Sequence, residues 1–145
     1  PHLKIPQSLG HCGHRAWAEI TGNATGSDVA SKNGAQVAAK ESRATVLVKG
    51  NLTVNASQES QIQRPASPTW LATAGTGDVL AGILGALIAT QVVEIEKNEN
   101  VLSSIAATGS FIHSRAAELA SAGGPITAMD VAHSIPRVIA ELLLK

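Results

Sequence analysis

Ala74-Gly75-Thr76-Gly77-Asp78 runs without a break into Val79-Leu80-Ala81-Gly82-Ile83-Leu84, and this join constrains the chain more than any other segment. Two glycines permit positive φ and leave no side chain between backbone and ligand. The helix that follows begins with free amides and the positive end of its dipole at the same place. Successive N–H groups can then line one concavity, and a phosphate is the group that fits it. Asp78 is expected to be hydrogen-bonded among those donors and to accept a proton from a hydroxyl brought to the phosphate. A bare Gly-Thr-Gly-Asp also serves as an ordinary helix start, because Asp is favoured near a helix N-terminus. The surroundings have to decide between the two.

Upstream, Pro1, Pro6, Gly10, Gly13, Gly22 and Gly26 punctuate an irregular segment over residues 1–26, with only residues 15–20 reading as a helical turn. Ser27-Asp28 offers a cap for a helix running to about Arg43. Thr45-Val46-Leu47-Val48 reads as a buried strand that Lys49-Gly50 ends. Residues 52–56 and 61–64 read as a hairpin, and Ser67-Pro68-Thr69 as a loop before Trp70. A helix is expected from Asp78 to about Ala89, then a polar connection over residues 91–100. Leu102, Ile105, Ala106, Ile112, Ala116 and Leu119 mark the apolar stripe of a helix over residues 101–120. Gly123-Gly124-Pro125 breaks it. Thr127 and Asp130 have capping-box spacing for a last helix, expected to kink or split at Pro136 and to reach Leu144.

Eleven basic residues balance eleven acidic ones, so the chain lacks the electrostatic footprint of a nucleic-acid or anionic-membrane binder. With aromatic content of 2% and no Tyr, it has few platforms on which bases could stack. The apolar run over residues 79–89 is interrupted by Gly82 and Gly85 and is too short to span a bilayer. Cys12 is the single cysteine, which excludes an intrachain disulfide and fits a reducing, cytoplasmic setting. The sequons at Asn23, Asn51 and Asn55 carry no weight in such a setting. His11, Cys12 and His14 are close together but lack a fourth ligand, so no metal site is assigned to them.

The stretch Ala72-Thr73-Ala74-Gly75-Thr76-Gly77-Asp78-Val79-Leu80-Ala81-Gly82 resembles the signature of ribokinase-like proteins, and within them that of the ADP-dependent NAD(P)H-hydrate dehydratases. Val46-Leu47-Val48-Lys49-Gly50 followed by Thr53-Val54 is similar to that family's strand ending in Lys-Gly and turning toward a Thr. Ser67-Pro68-Thr69-Trp70-Leu71 resembles the stretch before its glycine loop. His113 and the Gly123-Gly124-Pro125-Ile126-Thr127-Ala128-Met129-Asp130-Val131 ending also match. The similarity covers residues 27–145, with the N-terminal strands and helices of the parent sheet missing from it. It implies an α/β class, the C-terminal portion of a ribokinase-like α/β/α layered fold.

Residue by residue, the resemblance implies that Lys49, Gly50, Asn51, Leu52 and Thr53 contact the adenine nucleotide, together with Gly75, Thr76 and Gly77. Asp78 would bind the hydrated nicotinamide and act as the base. His2, in Pro1-His2-Leu3-Lys4-Ile5, would hold the substrate as the family's Pro-His-x-x-Glu segment does, although Ile5 stands where that segment has Glu. The implied reaction dehydrates hydrated NADH or NADPH with ADP (or ATP) as phosphoryl source and Mg²⁺ on its phosphates. A homo-oligomer and a fused or partner epimerase domain are the implied assemblies. His113 is expected to be a packed or interface histidine rather than a catalytic one. Two other readings share the loop: a small-molecule kinase of the same superfamily, and an incomplete, non-catalytic nucleotide-binding remnant.

Overall fold

Ala35, Ala38 and Ala39 give the first helix, α1 (Asp28–Ser42), a side small enough to lie close on a sheet. The structure, a computed structural model, describes residues 28–49, 53–59, 61–64, 68–98 and 100–144. The irregular N-terminal segment, with His2 and the His11, Cys12 and His14 group, lies outside the described residues, as do Gly50, Asn51 and Leu52. Three strands follow α1: β1 (Val46–Val48), β2 (Thr53–Ala56) and β3 (Gln61–Arg64), antiparallel in the order β1-β2-β3. Val48 pairs with Val54, and Asn55 with Ile62, so the expected hairpin forms and β1 joins its other edge.

β2 is buried along its whole length, and alternation gives its two faces different work. Val54 and Ala56 pack with Ala35, Ala39 and Val48 in a core between α1 and the sheet. Asn55 turns the other way and meets Ser110 of a later helix, whose Oγ lies 3.5 Å from Asn55 Oδ1. That helix, α4 (Val101–Ser121), is the common wall of the molecule. On its second side it packs against α2 (Thr76–Thr90) and α5 (Ala128–Leu143), with a 3₁₀ turn at Thr69–Leu71 closing the end. Leu71, Ile83, Ile112, Val131 and Val138 form the core there. Each such burial contributes roughly 1.5–3 kcal/mol.

Gly109 sits where α4 crosses α2. A Cβ built at that position would stand 2.6 Å from Leu84 Cδ2, so the absence of a side chain sets the spacing of the two helices.

Two expectations need correction. Within the polar connection, Val92–Lys97 forms a short helix, α3. Tertiary packing nucleates it, because Ile95 is only 7% exposed. Pro136 does not split the last helix, which runs continuously over Ala128–Leu143. The missing amide costs one hydrogen bond, while Val131 and Val138 on either side are anchored in the core. The capping box forms with Asp in the third position: Asp130 N donates to Thr127 Oγ1 at 3.3 Å, and Thr127 N to Asp130 Oδ2 at 2.8 Å. The result is a mixed α/β structure, mostly helical around a three-stranded sheet. Among the described residues no helix is long and apolar enough to cross a membrane.

Candidate active site

Gly75 caps α2 in the left-handed region, at φ +84°, which an L side chain rarely adopts. A side chain there would also press on α5, since an added Cβ would stand 3.1 Å from Ala128 Cβ. From this turn the first amides of the helix are shared out. Thr76 N donates to Thr73 O, and Asp78 N and Val79 N both donate to Gly75 O. Gly77 N is left with no backbone acceptor among the described residues. Gly77 is exposed, and an added Cβ would meet nothing within 4 Å. An unpaired amide at a helix N-terminus, on an exposed residue, is what an anion requires.

Beneath the loop, Thr76 is tied on three sides. It is 1% exposed, and its Oγ1 lies 2.9 Å from both Leu71 O and Thr73 O, which share its single proton. Lys49 Nζ, at the end of β1, donates to the same oxygen at 3.0 Å. His113 Nε2 donates to the Thr76 carbonyl at 2.8 Å, a partner that only accepts and therefore puts the ring proton on Nε2. The Thr76 hydroxyl is thus spent inside the protein, holding the loop in place.

Electrostatics follow from this packing. Lys49 counts as exposed overall, yet its ammonium lies against the loop, and burial lowers its pKa. His113 is 2% exposed; burial first and the Lys49 charge second lower its pKa to about 4, against a small opposing effect of the Thr76 carbonyl. The imidazole is therefore neutral at physiological pH.

Between about pH 6.5 and about pH 4 the unfolded chain holds a proton on His113 that the folded chain does not. Stability therefore falls as pH drops through that window, by up to about 3 kcal/mol at its lower end. Chemical denaturation of the chain against pH should show this slope, and His113→Gln should flatten it. An unchanged slope in the variant would assign the acid sensitivity to other groups. Asp130 does not compete in this window: the Thr127 amide bond first, and its hydroxyl second, lower the Asp130 pKa, so its contribution is lost below the ordinary Asp range.

Asp78 sits in the first turn of α2 with its side chain exposed. Contrary to expectation, no described group hydrogen-bonds its carboxylate, because the loop amides beside it turn back to Gly75 O or stay open. The structure thus brings Lys49, Gly75, Thr76, Gly77 and Asp78 to one place, with Thr53 buried on β2. Sequence reasoning did not foresee the tie from Lys49 to Thr76 or that from His113 to the loop. His113 was expected to be a packed histidine, and at 2% exposure it is one, but its partner in the loop was not foreseen.

The family model described as NAD(P)H-hydrate dehydratase matches residues 14–138. A bifunctional NAD(P)H-hydrate repair enzyme of Mycobacterium leprae is 41% identical over 101 residues, covering 68% of this chain and 19% of the relative. The corresponding enzyme of Corynebacterium glutamicum is 34% identical over 125 residues, covering 77% and 22%. An ADP-dependent (S)-NAD(P)H-hydrate dehydratase of Neisseria meningitidis serogroup B is 37% identical over 86 residues, covering 59% and 26%. The chain therefore spans about a fifth of the length of the first two relatives. No solved structure matches it. With the family model covering most of the chain, including every residue of the glycine loop, the chain belongs to the NAD(P)H-hydrate dehydratase family.

Proposed function

We propose that the chain carries the nucleotide-facing part of an ADP-dependent dehydratase acting on hydrated NADH or NADPH. The observation that supports this best is the open Gly77 amide, one residue before the exposed Asp78 carboxylate and one after a threonine tied to Lys49. An amide, a cation and a carboxylate at one helix start suit a phosphate and a hydroxyl brought together. The coverage of β2 by α1 on one face and α4 on the other fits the ribokinase-like layering.

In this reading Gly75 and Gly77 let the backbone approach a nucleotide phosphate, and Lys49 supplies positive charge beside it. Gly50, Asn51, Leu52 and Thr53 would contact the adenine nucleotide, and His2 would hold the substrate. Asp78 removes the proton from the hydroxyl of the hydrated ring as that oxygen attacks the terminal phosphorus of ADP, with AMP leaving. The phosphorylated oxygen then departs as phosphate, and loss of a proton from the neighbouring ring carbon restores the double bond. Mg²⁺ would neutralise charge on the nucleotide phosphates. Its donor set would be the nucleotide's own phosphate oxygens and water, as no group of three His, Cys, Asp or Glu comes together among the described residues. The same reading includes a cytoplasmic homo-oligomer and an epimerase domain, fused or separate; the word bifunctional in the name of the Mycobacterium leprae relative supports the latter.

The test is the return of nicotinamide absorbance when hydrated NADH is mixed with the chain, Mg²⁺ and ADP. ADP-dependent recovery is expected. A folded chain that binds ADP but gives no recovery would establish the non-catalytic remnant, and one that instead phosphorylates an alcohol would establish the kinase.

A further inference from the structure

His113 lies outside the residues assigned to ADP or to the hydrated nicotinamide, yet its hydrogen bond is aimed at the loop that carries them. We infer that His113 is a positioning residue of this site: it holds the Thr76–Gly77 peptide from the core side so that the Gly77 amide faces outward, toward a nucleotide phosphate. For its ligand the inference rests on the dehydratase reading; the pinning of the peptide stands apart from it.

A trans peptide is planar, with its C=O and N–H pointing in opposite directions. The Thr76 carbonyl and the Gly77 amide belong to one such plane. His113 Nε2 takes the carbonyl at 2.8 Å from a position that is 2% exposed, so that end of the plane faces the core. The other end, Gly77 N–H, must then face away from the core, where the residue is exposed and no described backbone group accepts from it. Thr76 opens α2 and is held through its hydroxyl, and the His113 bond adds a hold on the peptide unit itself from the core side.

The choice of residue fits that task. Burying an imidazole is costly unless it is bonded, and an aliphatic side chain would fill the same core space more cheaply. Among the described residues the ring's hydrogen bond goes to the loop and not to a neighbouring side chain. A donor also polarises the peptide it bonds: electron density drawn to the carbonyl oxygen makes the N–H of the same unit a better donor to an anion. Lys49, which donates to Thr76 Oγ1, and the neutral His113 thus hold the same residue at two atoms, one through its side chain and one through its backbone.

Three proteins separate the possibilities: the unmodified chain, His113→Gln, which keeps a nitrogen donor at nearly the reach of Nε2, and His113→Met, which fills the space without one. ADP affinity is measured by calorimetry, and the Thr76 carbonyl ¹³C shift by NMR without nucleotide, each on protein shown to be folded by its melting curve. His113→Met should weaken ADP binding about tenfold and move the Thr76 carbonyl signal. His113→Gln should stay within about threefold of the unmodified chain and restore the signal. Equal affinities and an unmoved carbonyl in His113→Met would overturn the inference, as would failure of His113→Gln to restore either quantity. If no protein binds ADP but the carbonyl signal responds as described, the pinning holds and the dehydratase reading fails. The unmodified chain alone gives a further check, independent of how the variants fold: ¹⁵N NMR of His113 should find the proton on Nε2, and a proton on Nδ1 alone would overturn the inference.

Discussion

Asp78→Asn should reduce ADP-dependent dehydration by about 10²–10⁴-fold, the usual contribution of a positioned general base. ADP affinity should stay within about threefold and the melting temperature nearly unchanged. The two halves of this expectation come from the same geometry. Asp78 is exposed and no described group bonds its carboxylate, so folding does not draw on it. Asn keeps the size and the ability to accept a hydrogen bond but is not a useful proton acceptor. Its place in the first turn of α2 favours a negative charge only modestly, by about 0.3–1 kcal/mol. Steady-state turnover and calorimetry on the two proteins check this together. Turnover unaffected by the substitution would remove Asp78 from the mechanism.

The second large effect concerns stability. Gly109→Val should destabilise the chain by about 3 kcal/mol, at the upper end of what overpacking a core costs. For a domain of this size that is roughly 10 °C in melting temperature. A Cβ alone would come within 2.6 Å of Leu84 Cδ2 and 3.3 Å of its Cγ, and a branched side chain adds contact with Ile83, whose Cγ2 lies 3.6 Å from that Cβ. Gly109→Ala should cost less. Its clash is with the mobile end of a leucine, and alanine recovers nearly 1 kcal/mol of helix propensity. Thermal melts of both variants decide the matter; a valine variant as stable as the parent would mean that α2 and α4 are not held at this spacing.

These two sites differ in how far the sequence announced them. The glycine loop was legible because its chemistry is local: Gly75 supplies a left-handed turn, α2 begins at the next residue, and Asp78 lies within the first turn. The hairpin was legible for the same reason, since four residues separate its strands. The capping box at Thr127 and Asp130 needed only a three-residue spacing. What stayed hidden involves partners far apart in the chain. Lys49 reaches Thr76 across 27 positions, and His113 reaches the same residue across 37. Periodicity placed His113 on a helix beside its apolar stripe but could not say which loop that stripe would meet. The meaning of Gly109 likewise lies in the Leu84 side chain of another helix, which no local pattern shows. The short α3 escaped notice because a six-residue helix is stabilised by the burial of Ile95 more than by its own propensity. Pro136 does not split its helix, because packing on both sides of it outweighs a local break.

The central claim is that the Gly75–Gly77 turn seats a nucleotide phosphate beside Asp78. Its most direct measurement is a titration of the ¹⁵N-labelled chain with ADP, following each backbone amide by NMR. The Gly77 amide should show the largest displacement, downfield in the proton dimension as it gains an anionic acceptor, with smaller changes at Gly75, Thr76 and Asp78. Saturable ADP binding that leaves residues 74–78 unmoved and displaces amides elsewhere would contradict the account.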